Sequence, residues 1–183
     1  MPVGKKYSEI ETKQQEFIRA QQMFFVATAP KGGHINLSPK GLESFHIINS
    51  NKVLWLNYTG SGNETAAHLL EDDRMTIMFC AFEGDPKILR LYGHARAIHP
   101  RNDDWDKLIA HFSNTAGARQ LIEMDVELVH TSCGFGVPLY NYTGPRDTLS
   151  DWIEKKGEEG IAQYWEDKNS QSLNGKPTGL FED

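Results

Sequence analysis

The residues from Thr59 to Thr65, Thr-Gly-Ser-Gly-Asn-Glu-Thr, combine glycine turn chemistry with small hydroxyl and amide side chains. Glycine turn chemistry ahead of a helix leaves backbone N–H groups free, and that suits a phosphate. Ser61 and Glu64 have capping-box spacing, and Ala66, Ala67, Leu69 and Leu70 continue as a helix. A helix start fed by a Gly/Ser loop presents free N–H groups and the positive end of the dipole. The same residues also read as a capped connection between two core strands, since the Gly-x-Gly is short and unspecific.

Other reactive residue types are scattered. Cys80 lies in an apolar run and reads as a core thiol, whereas Cys133 lies in a loop-like Thr-Ser-Cys-Gly. Neither has a Cys-x-x-Cys partner, and a catalytic thiol would need a base that the sequence does not place nearby. The seven histidines show no metal-binding spacing, so no metal site is expected and each reads first as structural. No acid–base dyad stands out, and no catalytic residue is assigned.

The elements that must position the loop follow from apolar patterning. Val53 to Leu56 is an apolar run of strand length before the loop, and Arg74 to Phe82 is a second one after the helix. Upstream, Tyr7 to Gln22 reads as a helix with a Ser8/Glu11 capping pair. Met23 to Thr28 and His34 to Ser38 read as a hairpin, ended by Pro39-Lys40-Gly41, and Phe45 to Ile48 as a short strand. Downstream, Ile88 to Ile98 reads as a strand in which Gly93 marks a bend or a close backbone approach. Helices are expected around Trp105 to Phe112 and over Ala116 to Ile122, with a strand from Asp125 to Thr131. The Gly/Pro-dense stretch from Cys133 to Arg146 is expected to be irregular. Two more helices are expected around Leu149 to Ile153 and Ile161 to Trp165.

The fold class expected is mainly β (α+β): a six-stranded antiparallel split β-barrel with peripheral helices, since the strands are not spaced as βαβ units. Residues 1–146 are expected to form this barrel domain and residues 147–183 a C-terminal helical extension packed on it. The 183-residue chain has 39% hydrophobic and 24% charged residues and a net charge of −6, an ordinary soluble balance. Without basic runs, nucleic acid and anionic membranes are not expected partners. The Met1 to Lys6 segment lacks a signal-peptide core, and two unpaired cysteines suit a reducing cytoplasm.

Four blocks resemble the pyridoxamine 5'-phosphate oxidase-related branch of the FMN-binding split barrels. They are Ile35 to Phe45, Thr59 to Leu69 with Arg74 to Gly84, Ile88 to Arg96, and Thr131 to Tyr140; the likeness extends to Lys168–Pro177. The resemblance implies FMN bound at the interface of a homodimer, and an oxidoreductase acting on a small molecule such as a B6 vitamer phosphate. By the same resemblance Asn36, Leu37, Ser38 and Lys40 would lie along the flavin, with Asn57, Tyr58 and Thr59 beside them. Ser61, Gly62, Asn63 and Thr65 would form the phosphate end. Better-known members carry an Arg-Lys pair at this helix start, where this chain has Asn63, Glu64 and Thr65; Lys40 and Arg90 are the cations left to offset a phosphate. The C-terminal Arg and His that grip pyridoxamine phosphate in the typical oxidase have no counterpart here. A flavin carrier or sensor without turnover, and a haem-binding barrel, are the alternative readings.

Overall fold

The computed structural model describes residues 4–41 and 43–181; Met1–Val3, Leu42, Glu182 and Asp183 lie outside the described residues. Part of the stretch read as lacking a signal-peptide core, one position of the first family-like block and the end of the expected C-terminal extension therefore fall outside them. The elements in order are β1 (Lys5–Tyr7), α1 (Thr12–Arg19), β2 (Phe24–Thr28), β3 (Asn36–Lys40), β4 (Phe45–Asn49) and β5 (Lys52–Tyr58). They continue as α2 (Glu64–Leu69), β6 (Arg74–Cys80), β7 (Lys87–Ile98), α3 (Trp105–Ile109), β8 (Ala118–Cys133) and α4 (Thr148–Lys168).

All pairings are antiparallel, in the order β3-β2-β6-β7-β8-β5-β4, and β1 also pairs with β8. The chain is thus mainly β with peripheral helices, but eight strands pair rather than six. β8 accounts for much of the architecture, because it pairs with β7 along its length while β5 takes one part of its other edge and β1 another. The sheet curls until its ends face each other. Phe24 of β2 meets Phe45 of β4 with ring centroids 5.1 Å apart, and Trp55 of β5 at 6.3 Å. The curl encloses the main core, in which Phe24, Val26, Trp55, Ile77, Phe79, Leu91 and Ile122 are all buried. Among the described residues no ladder joins β3 to β4, so the barrel stays open along that seam. A smaller cluster of Leu54, Leu56, Ile98, Leu108 and Leu121 lies on the other face of β5 and β8, partly covered by Trp105, Ile109 and Phe112.

Gly93 has a clear reason to be glycine: a Cβ there would lie 1.9 Å from the Asp125 carbonyl oxygen, at the register shift between β7 and β8. Other expectations are corrected. Lys5–Tyr7 is a strand, not the start of the first helix, and α1 begins at Thr12 with no side-chain cap. Pro39 and Lys40 do not end β3 but pair with Phe25 and Phe24. β3 is an edge strand, where a missing proline N–H breaks no ladder. Ala116 to Ile122 is not a helix, because Ala118 onward is β8, paired with both β5 and β7, and this pairing overrides local preference. The two expected C-terminal helices are both present, as the two halves of α4 on either side of Gly157, whose φ of 65° and ψ of 173° are not helical.

Candidate functional site

The loop between β5 and α2 sits over a buried polar cluster. Gly60, Ser61 and Gly62 are exposed, while Asn57, Thr59, Asn63 and Thr65 on either side are buried. Asn63 is the N-cap residue of α2 but makes no side-chain cap bond, so the Ser61/Glu64 capping box does not form. The Asn63 amide instead exchanges hydrogen bonds with Gln120 of β8: Gln120 Nε2 donates to Asn63 Oδ1 at 2.9 Å, and Asn63 Nδ2 donates back at 3.4 Å. Glu64 accepts the Leu173 N–H at 2.8 Å and lies 3.9 Å from His68 Nε2. Its carboxylate is therefore engaged by the C-terminal segment.

Beneath the loop lies Arg119, which is only 2% exposed. Its Nη1 donates to Gly62 O at 3.0 Å and to Asn169 Oδ1 at 2.6 Å, while its Nε is buried with no partner. Burial pushes this guanidinium down to about 10. Asn169, fully buried just past α4, also donates through Nδ2 to Gly60 O at 3.0 Å. Trp165 Nε1 donates to Thr59 Oγ1 at 2.8 Å, and Thr59 Oγ1 donates to Gly117 O at 2.9 Å. Thr178 Oγ1 closes the set by donating to Asn169 O at 2.7 Å. The chain end thus clamps the loop from below.

β3 runs away from this cluster along the open seam. Asn36 Nδ2 donates to Thr65 Oγ1 at 3.4 Å, which ties the start of β3 to α2. Ser38 Oγ is buried without a partner. Lys40 Nζ lies 5.0 Å from the Trp55 ring centroid, and the Trp55 Nε1 is likewise buried without a partner. Burial first, then the Arg119 charge, pushes Lys40 down to about 8. Leu37 faces the opposite way and is 64% exposed. Past Lys40 opens a cleft of about 660 Å³, lined among others by Lys40, Tyr142, Arg146, Leu149 and Trp152, with no carboxylate among the described residues of its lining.

Asn36, Asn57, Thr59, Asn63 and Thr65 therefore come together, with Ser61 and Gly62 on the loop above them and Ser38 and Lys40 farther along the seam. Tyr58 turns to the other face of β5, where its hydroxyl donates to Asn114 O at 2.8 Å. Arg90 is not brought to the loop. It pairs opposite His130, ten positions along β8 from Gln120, and donates to Ser132 Oγ at 3.2 Å. At about 3.3 Å per residue that is roughly 33 Å of strand. Arg119, Gln120 and Asn169 do not stand out in the sequence, and Trp165 reads there as a core or interface residue of its helix. Reading 116–122 as a helix hid the alternation of Gln120, Ile122 and Met124, and nothing local marks an arginine for burial.

Among the described residues no three His, Cys, Asp or Glu side chains converge as a metal site, and no helix is long and apolar enough to cross a membrane.

Comparison with known proteins agrees with this architecture. HupZ of Group A Streptococcus superposes with a TM-score of 0.55 at 18% identity, over 67% of this chain and 99% of that one. HutZ of Vibrio cholerae, described as a haem storage protein, superposes with a TM-score of 0.51 at 18% identity, over 69% of this chain and 97% of that one. At such identity these likenesses establish the fold. In sequence, the pyridoxamine 5'-phosphate oxidase family protein ustO of Aspergillus flavus is 35% identical over 192 residues, covering 93% of this chain and 76% of that protein. The family model described as pyridoxamine 5'-phosphate oxidase matches residues 10–133, and the chain belongs to that family.

Proposed function

We propose that the chain binds FMN along the open seam, with its phosphate at the Thr59–Thr65 loop, and acts as an oxidoreductase on a small anionic molecule. The observation that carries this reading is the pairing of an exposed Gly-Ser-Gly loop with a buried cation, Arg119, and a half-buried one, Lys40, that have no ion-pair partner among the described residues. Cations left unpaired at low exposure fit an anionic group. The orphaned Ser38 Oγ and Trp55 Nε1 add polar atoms along the same seam. Membership of the oxidase family supports flavin as that group.

When bound, FMN would supply hydride acceptance from a reduced substrate and onward electron transfer. The protein's part is binding and orientation. Asn63, Thr65 and the loop amides would hold the phosphate, while Asn36, Ser38 and Lys40 would line the seam. The cleft beyond Lys40 pairs two cations, Lys40 and Arg146, with the aromatic Tyr142 and Trp152, which favours a flat or apolar substrate carrying an anionic group. Residues 147–181 complete the site from below through Trp165, Asn169 and Thr178, and belong with the barrel as one unit. Exposed Ile35 and Leu37 on and beside the edge strand β3, 75% and 64% exposed, offer a surface that a second copy of the chain would cover. A cytoplasmic location is part of the same reading.

The test is a fluorescence titration with FMN, followed by an anaerobic screen of reduced donors that begins with pyridoxine and pyridoxamine phosphates. Saturable quenching and bleaching of the flavin by a donor support the proposal. Tight binding with no reduction by any donor would replace it with a carrier or sensor. Haem binding in place of FMN would align the chain with the stated role of HutZ.

A further inference from the structure

We propose that Arg119 is the counter-charge for the anionic ligand held at the Thr59–Thr65 loop, in the place of any cation on the loop itself. This deepens the flavin reading and rests on it for the identity of the anion, the FMN phosphate.

The loop from Thr59 to Thr65 contains no Lys or Arg, and its one charged residue, Glu64, carries the wrong sign for an anion. The carboxylate of Glu64 is not remote: a Cβ on Gly62 would lie 3.6 Å from its Oε1. Directly under the same glycine stands Arg119, whose Nη1 donates to Gly62 O. Both of its hydrogen-bond acceptors, Gly62 O and Asn169 Oδ1, are neutral. No carboxylate among the described residues pairs with it, and its Nε is buried and unpartnered. A buried cation without an anion is strongly unfavourable, and a neutral donor of similar size could make the same two bonds without that cost. The positive charge is therefore in excess of what the fold alone requires. The loop it bonds to has open space at Gly60, where a Cβ would meet nothing within 4 Å. Lys40 feels the Arg119 charge as repulsion, so an anion at the loop that neutralises Arg119 would relieve Lys40 as well.

The experiment compares wild type, R119M and R119K in titrations with FMN and with riboflavin, which lacks the phosphate. For R119M the FMN affinity is expected to fall about 10- to 100-fold while riboflavin affinity holds, with R119K recovering part of the loss. Equal weakening of both flavins would show that Arg119 serves only to hold the loop, and unchanged FMN affinity would also overturn the proposal. If R119M fails to fold, wild type still decides, because it must prefer FMN to riboflavin by at least about ten-fold, and equal affinities contradict the proposal. If wild type binds neither flavin, inorganic phosphate is the probe in thermal melts. A rise in melting temperature for wild type that shrinks in R119K and vanishes in R119M would keep the anion site while the flavin reading falls; no rise in wild type would end both.

Discussion

The two ends of the open seam are built in opposite ways. At the loop end, Asn63 and Gln120 exchange bonds, Asn169 holds Arg119 and the Gly60 carbonyl, and Trp165 holds Thr59, which leaves one buried donor there, the Arg119 Nε, without a partner. At the Lys40 end, polar atoms sit orphaned beside aromatic rings, and a cleft opens to solvent. A closed polar network resists rearrangement, because each member that moves strands another. The loop end therefore offers a ligand one unpartnered cation on a fixed frame, and the Lys40 end offers it unpartnered polar atoms beside open space. The contrast assigns rigid anchoring to the first end and exchange of smaller molecules to the second.

The largest effect is expected where the network is densest. The Asn169 side chain joins Arg119 and Gly60 O, so N169A should cost about 2 kcal/mol in a denaturant melt by leaving both without that partner, and should loosen FMN retention with it. A loss under about 1 kcal/mol would mean that the clamp is slack. Next, the N63A/T65A double variant should weaken FMN binding about ten-fold in a fluorescence titration, and unchanged affinity would place the phosphate elsewhere.

The open end should answer to pH instead. Lys40 releases its proton near pH 8 in the folded chain, against 10.5 for its ordinary value. Between those limits the unfolded chain holds the extra proton, so the stability of the ligand-free protein should rise as pH rises from 8 to 10.5. An anion in the cleft needs the charged form, so its affinity should fall as pH rises above about 8. K40M should flatten both profiles, and profiles identical to wild type would remove Lys40 from the cleft. The smallest effect is reserved for R90M. It loses one bond to Ser132 Oγ at the far end of β8 and should leave FMN affinity within about two-fold.

How much of this was legible in the sequence follows the range of the interactions. β2, β5 and β7 announce themselves as apolar runs, and Gly93 as a close approach, because those signals are local. The loop residues that meet in space were recognisable as a set from their turn and hydroxyl chemistry. The direction of Glu64 was not, since it is fixed by Leu173, 109 positions away. Arg119 was hidden for a related reason: Ala118 to Ile122 becomes strand only by pairing with β5 and β7, and an arginine there reads as surface until the chain terminus covers it. Arg90 was the converse case, a cation credible by type and placed far from the loop by register alone.

The central claim is that this seam holds FMN. The most direct measurement is the visible absorption spectrum of the purified protein, with mass spectrometry of whatever acid releases. Flavin bands and released FMN are the predicted result. A Soret band, or a colourless protein that remains so after incubation with FMN, would contradict it.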